Sequence, residues 1–204
     1  MESDIRFSGK QVARSPGMAK DFDKSAQEDR SWVLKSKKGK AGAFDQLVVK
    51  YQKPLYLLVL KMVGNPADAE DVAQEAFIRA FRSLDRFDSE RPFQPWLYRI
   101  AINLALTAIN RRKQHASVTL EDAEIMGDPV ASDPPNRDME ELGQVALRAS
   151  KSLPEDHRAV LLLRVQEGLS YDQIAEVLEI PIGTVMSRLN RARCKLKELL
   201  KDYL

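Results

Sequence analysis

Thr184, Ser187, Asn190 and Arg191 follow one another at steps of three and four residues, which sets them on one side of a helix. Hydroxyl, amide and guanidinium groups share one competence: they hydrogen-bond to base edges and to phosphate oxygens. Cys194 lies on the same face, and Arg188, Lys195 and Met186 flank it. At about 100° per residue, Val185, Leu189, Ala192, Leu196 and Leu199 fall on the opposite side as an apolar stripe. Arginine can bridge two acceptors on guanine, so Arg191 is the leading candidate for a base contact. A solvated basic face on an ordinary amphipathic helix would leave the same pattern, and the residues ahead of it discriminate.

Those residues are well punctuated. Ser170-Tyr171-Asp172-Gln173 fits a capping box, as does Ser152-Leu153-Pro154-Glu155, and Gly168 is placed to stop the helix between them. The spacing predicts a short helix at about 171–178, a brief turn, and a long helix from Pro181 or Ile182. A short helix, a tight turn and a longer basic helix make the unit that lays its second helix in the major groove of DNA. Ile174, Ala175, Leu178, Ile180, Val185 and Leu189 would supply its small core.

A second set of polar groups lies upstream. Asp71, Gln74 and Glu75 share a helix face behind Asn65-Pro66-Ala67-Asp68, which has an N-cap, a proline at the first helical position and an early acid. The acids either form a docking face or merely complement the helix dipole. Before them, Phe44, Leu47, Val48, Tyr51, Leu55, Leu58 and Val59 recur at helical steps, with Pro54 expected to kink that helix or to lie near its start. After the polar loop from Asp85 to Pro92, Trp96, Leu97, Ile100, Ala101, Leu104 and Ala108 mark another helix that ends in Arg111-Arg112-Lys113. On that apolar face Trp96 reads as core.

The elements group into two units. Residues 27–113 form one helical domain and residues 139–204 a second. Between them, 114–138 carry three prolines, a glycine and six acids (Glu121, Asp122, Glu124, Asp128, Asp133, Asp138) against the single Arg137, which predicts an acidic flexible linker. Residues 1–26 are poor in large apolar side chains and read as a disordered tail. No alternating β-branched run occurs, so the expected class is all-α, two small helical domains.

Composition excludes more than it identifies. Lys plus Arg (32) nearly balance Asp plus Glu (30), so any nucleic-acid footprint must be local. His115, His157 and the lone Cys194 cannot assemble a zinc-type cluster, so no metal or other cofactor is expected. A Gly-rich phosphate loop and a nucleophile–base pairing are also missing, which argues against an enzyme. One cysteine, no long apolar run and no signal-peptide core point to the cytoplasm. A DNA-binding regulator whose N-terminal half senses or dimerises remains the rival reading, but it leaves the Asp71–Phe77 segment unexplained.

Two segments together resemble the extracytoplasmic-function, sigma-E-like branch of the sigma-70 family of RNA polymerase sigma factors. Leu153-Pro154-Glu155, Gly168-Leu169-Ser170-Tyr171, Ile174-Ala175, Ile180-Pro181-Ile182-Gly183-Thr184-Val185, Ser187-Arg188 and Arg191-Ala192-Arg193 resemble its region 4. Asp71-Val72-Ala73-Gln74-Glu75-Ala76-Phe77, followed by Phe93, Trp96-Leu97, Ile100-Ala101 and Asn103, resembles region 2. The resemblance implies a factor that binds core RNA polymerase through the clamp helices of its largest subunit and the beta flap, and directs initiation at promoters. It implies that Asp71, Gln74 and Glu75 face the clamp. Ser89, Phe93 and Asn103 would lie at the pocket for an unstacked −10 base, with Arg111 and Arg112 on phosphates. Thr184, Ser187, Arg188, Asn190 and Arg191 would read the −35 element. An anti-sigma factor, in some members membrane-anchored, is the further partner it implies. The acidic linker would thread toward the polymerase channel, although a plain tether fits its charge equally well.

Three positions depart from the family pattern. Glu179 stands in the turn where glycine is common, Met186 replaces a usual Lys or Arg, and Thr107 stands where Asp or Asn is frequent. Glu179 is therefore expected to adopt a left-handed backbone at a cost of about 1 kcal/mol.

Overall fold

The computed structural model describes residues 16–118 and 149–201, and all regular structure within them is helical. Most of the expected linker, and the apolar spacing at Met139, Leu142, Val145 and Ala146, lie outside the described residues. No helix among the described residues is long and apolar enough to cross a membrane.

The first domain is built on four helices: α1 (Pro16–Lys37), α2 (Ala43–Val63), α3 (Pro66–Ser83) and α4 (Phe93–Val118). Helix α1 opens at Pro16, so the tail expected to run through residue 26 is helical from residue 16 onward. Its end is tied down rather than free. Asp29, almost fully buried, accepts a 2.5 Å hydrogen bond from the Tyr51 hydroxyl and pairs with Lys50. Helix α2 is bracketed by Gly42 (φ 73°) and Gly64 (φ 77°), left-handed positions where any side chain would be strained. Pro54 sits in mid-helix without ending it, flanked by the buried Tyr51, Leu55 and Leu58. Asn65 caps α3 as its sequence predicts, its side-chain oxygen accepting from the Asp68 amide at 3.1 Å. Ala69, Ala73, Ala76 and Ala80 give α3 a small-residue face, which lets α2 and α4 pack closely on either side. A single 3-10 turn, Leu84–Arg86, leads into the loop before α4.

The basic run does not terminate α4. The helix continues through Val118, so the first residues of the stretch assigned to the linker are helical. Neither a glycine nor a proline follows Lys113 until Gly127, and nothing in the local sequence stops the ladder.

The second domain contains α5 (Glu155–Val165), α6 (Tyr171–Leu178) and α7 (Ile182–Leu199). The Ser170 capping box forms with both bonds in place: Gln173 N–H to Ser170 Oγ at 3.2 Å, and Ser170 N–H to Gln173 Oε1 at 2.9 Å. The box expected at Ser152 does not form. Pro154 is the N-cap of α5, and the Ser152 amide is already committed to the Ala149 carbonyl of the preceding turn. Gly168 (φ 66°) reverses the chain after α5, and the Leu169 amide returns to the Leu163 carbonyl at 3.0 Å. Ile174, Val177, Val185, Leu189 and Ala192 form the core between α6 and α7.

The two domains touch along two seams, α6 against α4 and α5 against α2.

Candidate nucleic-acid interface

Helix α7 turns Val185, Leu189 and Ala192 inward, which leaves Ser187, Asn190, Arg191 and Cys194 exposed on the other side. Thr184 is half-buried, and its carbonyl accepts from Ser187 Oγ at 3.0 Å. Arg188 differs from the rest of the predicted set. It leans toward α5 and pairs with Asp156 at 2.7 Å, keeping 25% of its side chain exposed. Ile182 and Met186 are exposed apolar groups at the start of the same helix, suited to contact with a thymine methyl.

On α3, Asp71 and Gln74 are exposed, while Glu75 is half-buried and paired with Arg79 at 2.7 Å. Asp68 occupies the first turn, where the dipole acts, and Asp71 stands a turn further along. Dipole complementarity fades beyond the first turn, so it accounts for Asp68 better than for Asp71. Ile78 and Phe81 carry the same exposed face onward as apolar groups.

The residues assigned to the −10 element do not converge on one point. Phe93 and Arg111 stand at opposite ends of an α4 stretch that spans roughly 27 Å at 1.5 Å per residue. Ser89 is half-buried in the loop ahead of α4. Phe93 is only 2% exposed, held among Tyr51, Phe87 and Trp96 with ring centroids 5.7, 6.0 and 5.6 Å away. It therefore supports the surface from beneath. Asn103 is exposed midway, its carbonyl accepting from Thr107 Oγ1 at 2.8 Å. Arg111 is exposed, and Arg112 reaches Asp68 at 3.4 Å. The set forms a strip along α4.

Residues outside the predicted set complete that strip. Trp96, expected in the core, is only partly buried and lies against Phe87 with ring centroids 4.4 Å apart. Together they line a cleft of about 280 Å³ whose rim carries Arg86, Arg91 and Arg99. Guanidinium groups over aromatic faces are what gripping a single strand requires. The signal for this was present in the alternation of Arg86, Phe87, Arg91, Trp96 and Arg99.

Beneath the strip, Tyr98 is fully buried and donates to Glu167 Oε2 at 2.5 Å. Burial, reinforced by the Glu167 charge, pushes the Tyr98 hydroxyl far above its ordinary value of 10.0. Burial, with Asp29 beside it, does the same to Tyr51.

Comparison with known proteins places this geometry. The sigma-70 region 2 pattern matches residues 47–115, and the sigma-70 region 4 pattern matches residues 144–196. The RNA polymerase sigma-H factor of Pseudomonas aeruginosa is 43% identical over 186 residues, covering 87% of this chain and 96% of its own. The ECF RNA polymerase sigma-E factor of Escherichia coli K12 is 43% identical over 173 residues, covering 81% and 90%. Among solved structures, CnrH in complex with the cytosolic domain of CnrY is 28% identical, with a TM-score of 0.65 over 86% of this chain and 98% of that one. RpoE of Bartonella quintana, solved with the anti-sigma factor NepR, shares the fold at 24% identity and a TM-score of 0.67 over 79% and 98%. With both regions in one chain, and relatives matched over nearly their whole length, the protein belongs to the sigma-70 family, among the extracytoplasmic-function sigma factors that direct promoter-specific transcription initiation.

Proposed function

We propose that the two domains divide the work of initiation. Residues 27–113 hold core polymerase and the opened −10 strand, and residues 139–204 hold the −35 duplex. Asp71, Gln74 and Glu75 meet the clamp helices of the largest subunit, and region 4 meets the beta flap. Arg111, Arg112, Asn103 and Ser89 follow the −10 strand along α4, with Phe93 as structural support. Ser187, Asn190 and Arg191 read −35 bases, with Thr184 and Arg188 beside them on the same helix. The observation that carries this reading is the pairing of two different surfaces in one chain. One is a cation-rimmed aromatic cleft suited to single strands, and the other is an exposed helix face suited to a groove.

Each contact alone is weak, and polymerase joins them through effective concentration. The chain itself carries no catalytic group in this scheme and acts in the cytoplasm, where polymerase works. An anti-sigma factor is the expected inhibitory partner, in keeping with the similarity to CnrH, which was solved with the cytosolic domain of CnrY. The test is reconstitution: purified chain plus core polymerase, with sequencing of transcript 5′ ends. Initiation at a defined set of sites that core alone does not use is the expected result. Core binding without site selection would refute the division of labour.

A further inference from the structure

The acids of the helix-turn-helix domain face the cations of the α4 strip. Glu176 of α6 pairs with Arg91 at 2.9 Å, and Glu179 at the end of α6 pairs with Arg99. Glu167, after α5, accepts from Tyr98 beneath the same surface. Glu176 also forms part of the cleft wall formed with Arg86, Arg91, Arg99 and Trp96. The carboxylates thus occupy the guanidinium groups that a nucleic-acid phosphate would otherwise engage. A guanidinium committed to one anion has fewer donors left for another.

We propose that the face of region 4 carrying Glu167, Glu176 and Glu179 is an intramolecular occupant of the −10 strand surface and excludes single-stranded DNA until polymerase draws the domains apart. The inference rests on the proposed assignment of the α4 strip to the −10 strand. Both ion pairs are substantially exposed, with side chains 63% and 43% accessible for Arg91 and Glu176, and 39% and 58% for Arg99 and Glu179. Exposed pairs are individually weak, so this latch opens readily when a larger surface competes for either domain. Promoter elements standing apart on one duplex require that separation, and the strand surface is therefore exposed where the DNA is already held.

The experiment uses the full chain, dye-labelled on Cys194 and on a cysteine introduced at the exposed Gln52, so that energy transfer reports the domain separation. A short fluorescein-labelled single strand of randomised sequence, added to unlabelled protein, reports the strip. Glu167→Gln, Glu176→Gln and Glu179→Gln are combined, since glutamine keeps an acceptor for Tyr98 while removing the charges; a thermal melt checks folding. The expected result is lower energy transfer and single-strand binding tightened by about tenfold, lost again when Arg91→Ala and Arg99→Ala are added. Core polymerase should lower energy transfer in the unsubstituted chain as well. Unchanged affinity in the glutamine variant, with Arg91→Ala and Arg99→Ala still weakening the unsubstituted chain, overturns the occlusion and leaves the −10 assignment standing. Affinity indifferent to all five substitutions overturns both.

Discussion

Arg158, in the helix-turn-helix domain, donates from Nη1 to the Met62 carbonyl oxygen in the last turn of α2, at 2.8 Å. That carbonyl is one of the four that a helix C-terminus leaves without an internal partner, so a side chain from the second domain satisfies the end of a helix in the first. The same guanidinium also serves the carbonyls of Ser150, Lys151 and Leu153, at 3.1, 2.6 and 3.0 Å. It is 8% exposed.

Replacing Arg158 with alanine strands those oxygens. Unfolding by urea should show a loss on the order of 3 kcal/mol, because buried acceptors left unmade are costly. Lysine should recover only part of it, since an ammonium cannot present the planar fork that reaches several carbonyls at once. A loss under about 0.5 kcal/mol would mean that water replaces the guanidinium at little cost.

Glu179 holds φ 53° and ψ 42° at the turn of the helix-turn-helix, the left-handed region that its place in the sequence predicts. Glu179→Gly should stabilise that domain by about 1 kcal/mol, less up to about 0.5 kcal/mol for the lost exposed pair with Arg99. A small domain should then melt a few degrees higher, by calorimetry. A lower melting temperature would show that the Arg99 contact outweighs backbone strain.

Tyr51 and Tyr98 both have hydroxyls raised well above 10.0, burial being the larger cause in each. Above pH 10 the unfolded chain ionises these groups while the folded chain does not. Their contribution is therefore complete below the ordinary value and declines as pH rises beyond it. Thermal melts from neutral to strongly alkaline pH should show a steep fall beginning near that value, and Tyr98→Phe with Tyr51→Phe should flatten it. An equal slope in the double variant would refute the assignment.

Arg191→Ala and the pair Asp71→Ala with Gln74→Ala should separate the two proposed functions. The first should cut promoter-specific transcription by at least about tenfold, as expected for a lost bidentate base contact, and leave co-purification with core polymerase intact. The second should weaken co-purification. If Arg191→Ala abolished core binding, α7 would be a polymerase contact.

These cases also mark what was legible beforehand. The Ser170 box, the Asn65 cap and the strain at Glu179 are written in residues at most four positions apart, and each was found where the pattern put it. Arg158 gave no such sign, because Met62 lies 96 positions away and a lone arginine in an apolar helix has no local signature. The burial of Phe93 was hidden for a related reason. Its aromatic neighbours Tyr51 and Phe87 come from a different helix and from the loop ahead of α4, so periodicity along α4 could not reveal them. The end of α4 was misplaced because a basic run is a common helix terminus but not a stop signal in itself.

The unbroken course of α4 past Lys113 makes it a calibrated rod. One added residue between Asn103 and Arg111 would swing the arginine pair about 100° around the axis, and four would bring it back almost into line, about 6 Å further on. Phase, more than length, then governs whether the far cations meet the strand that the near end has captured.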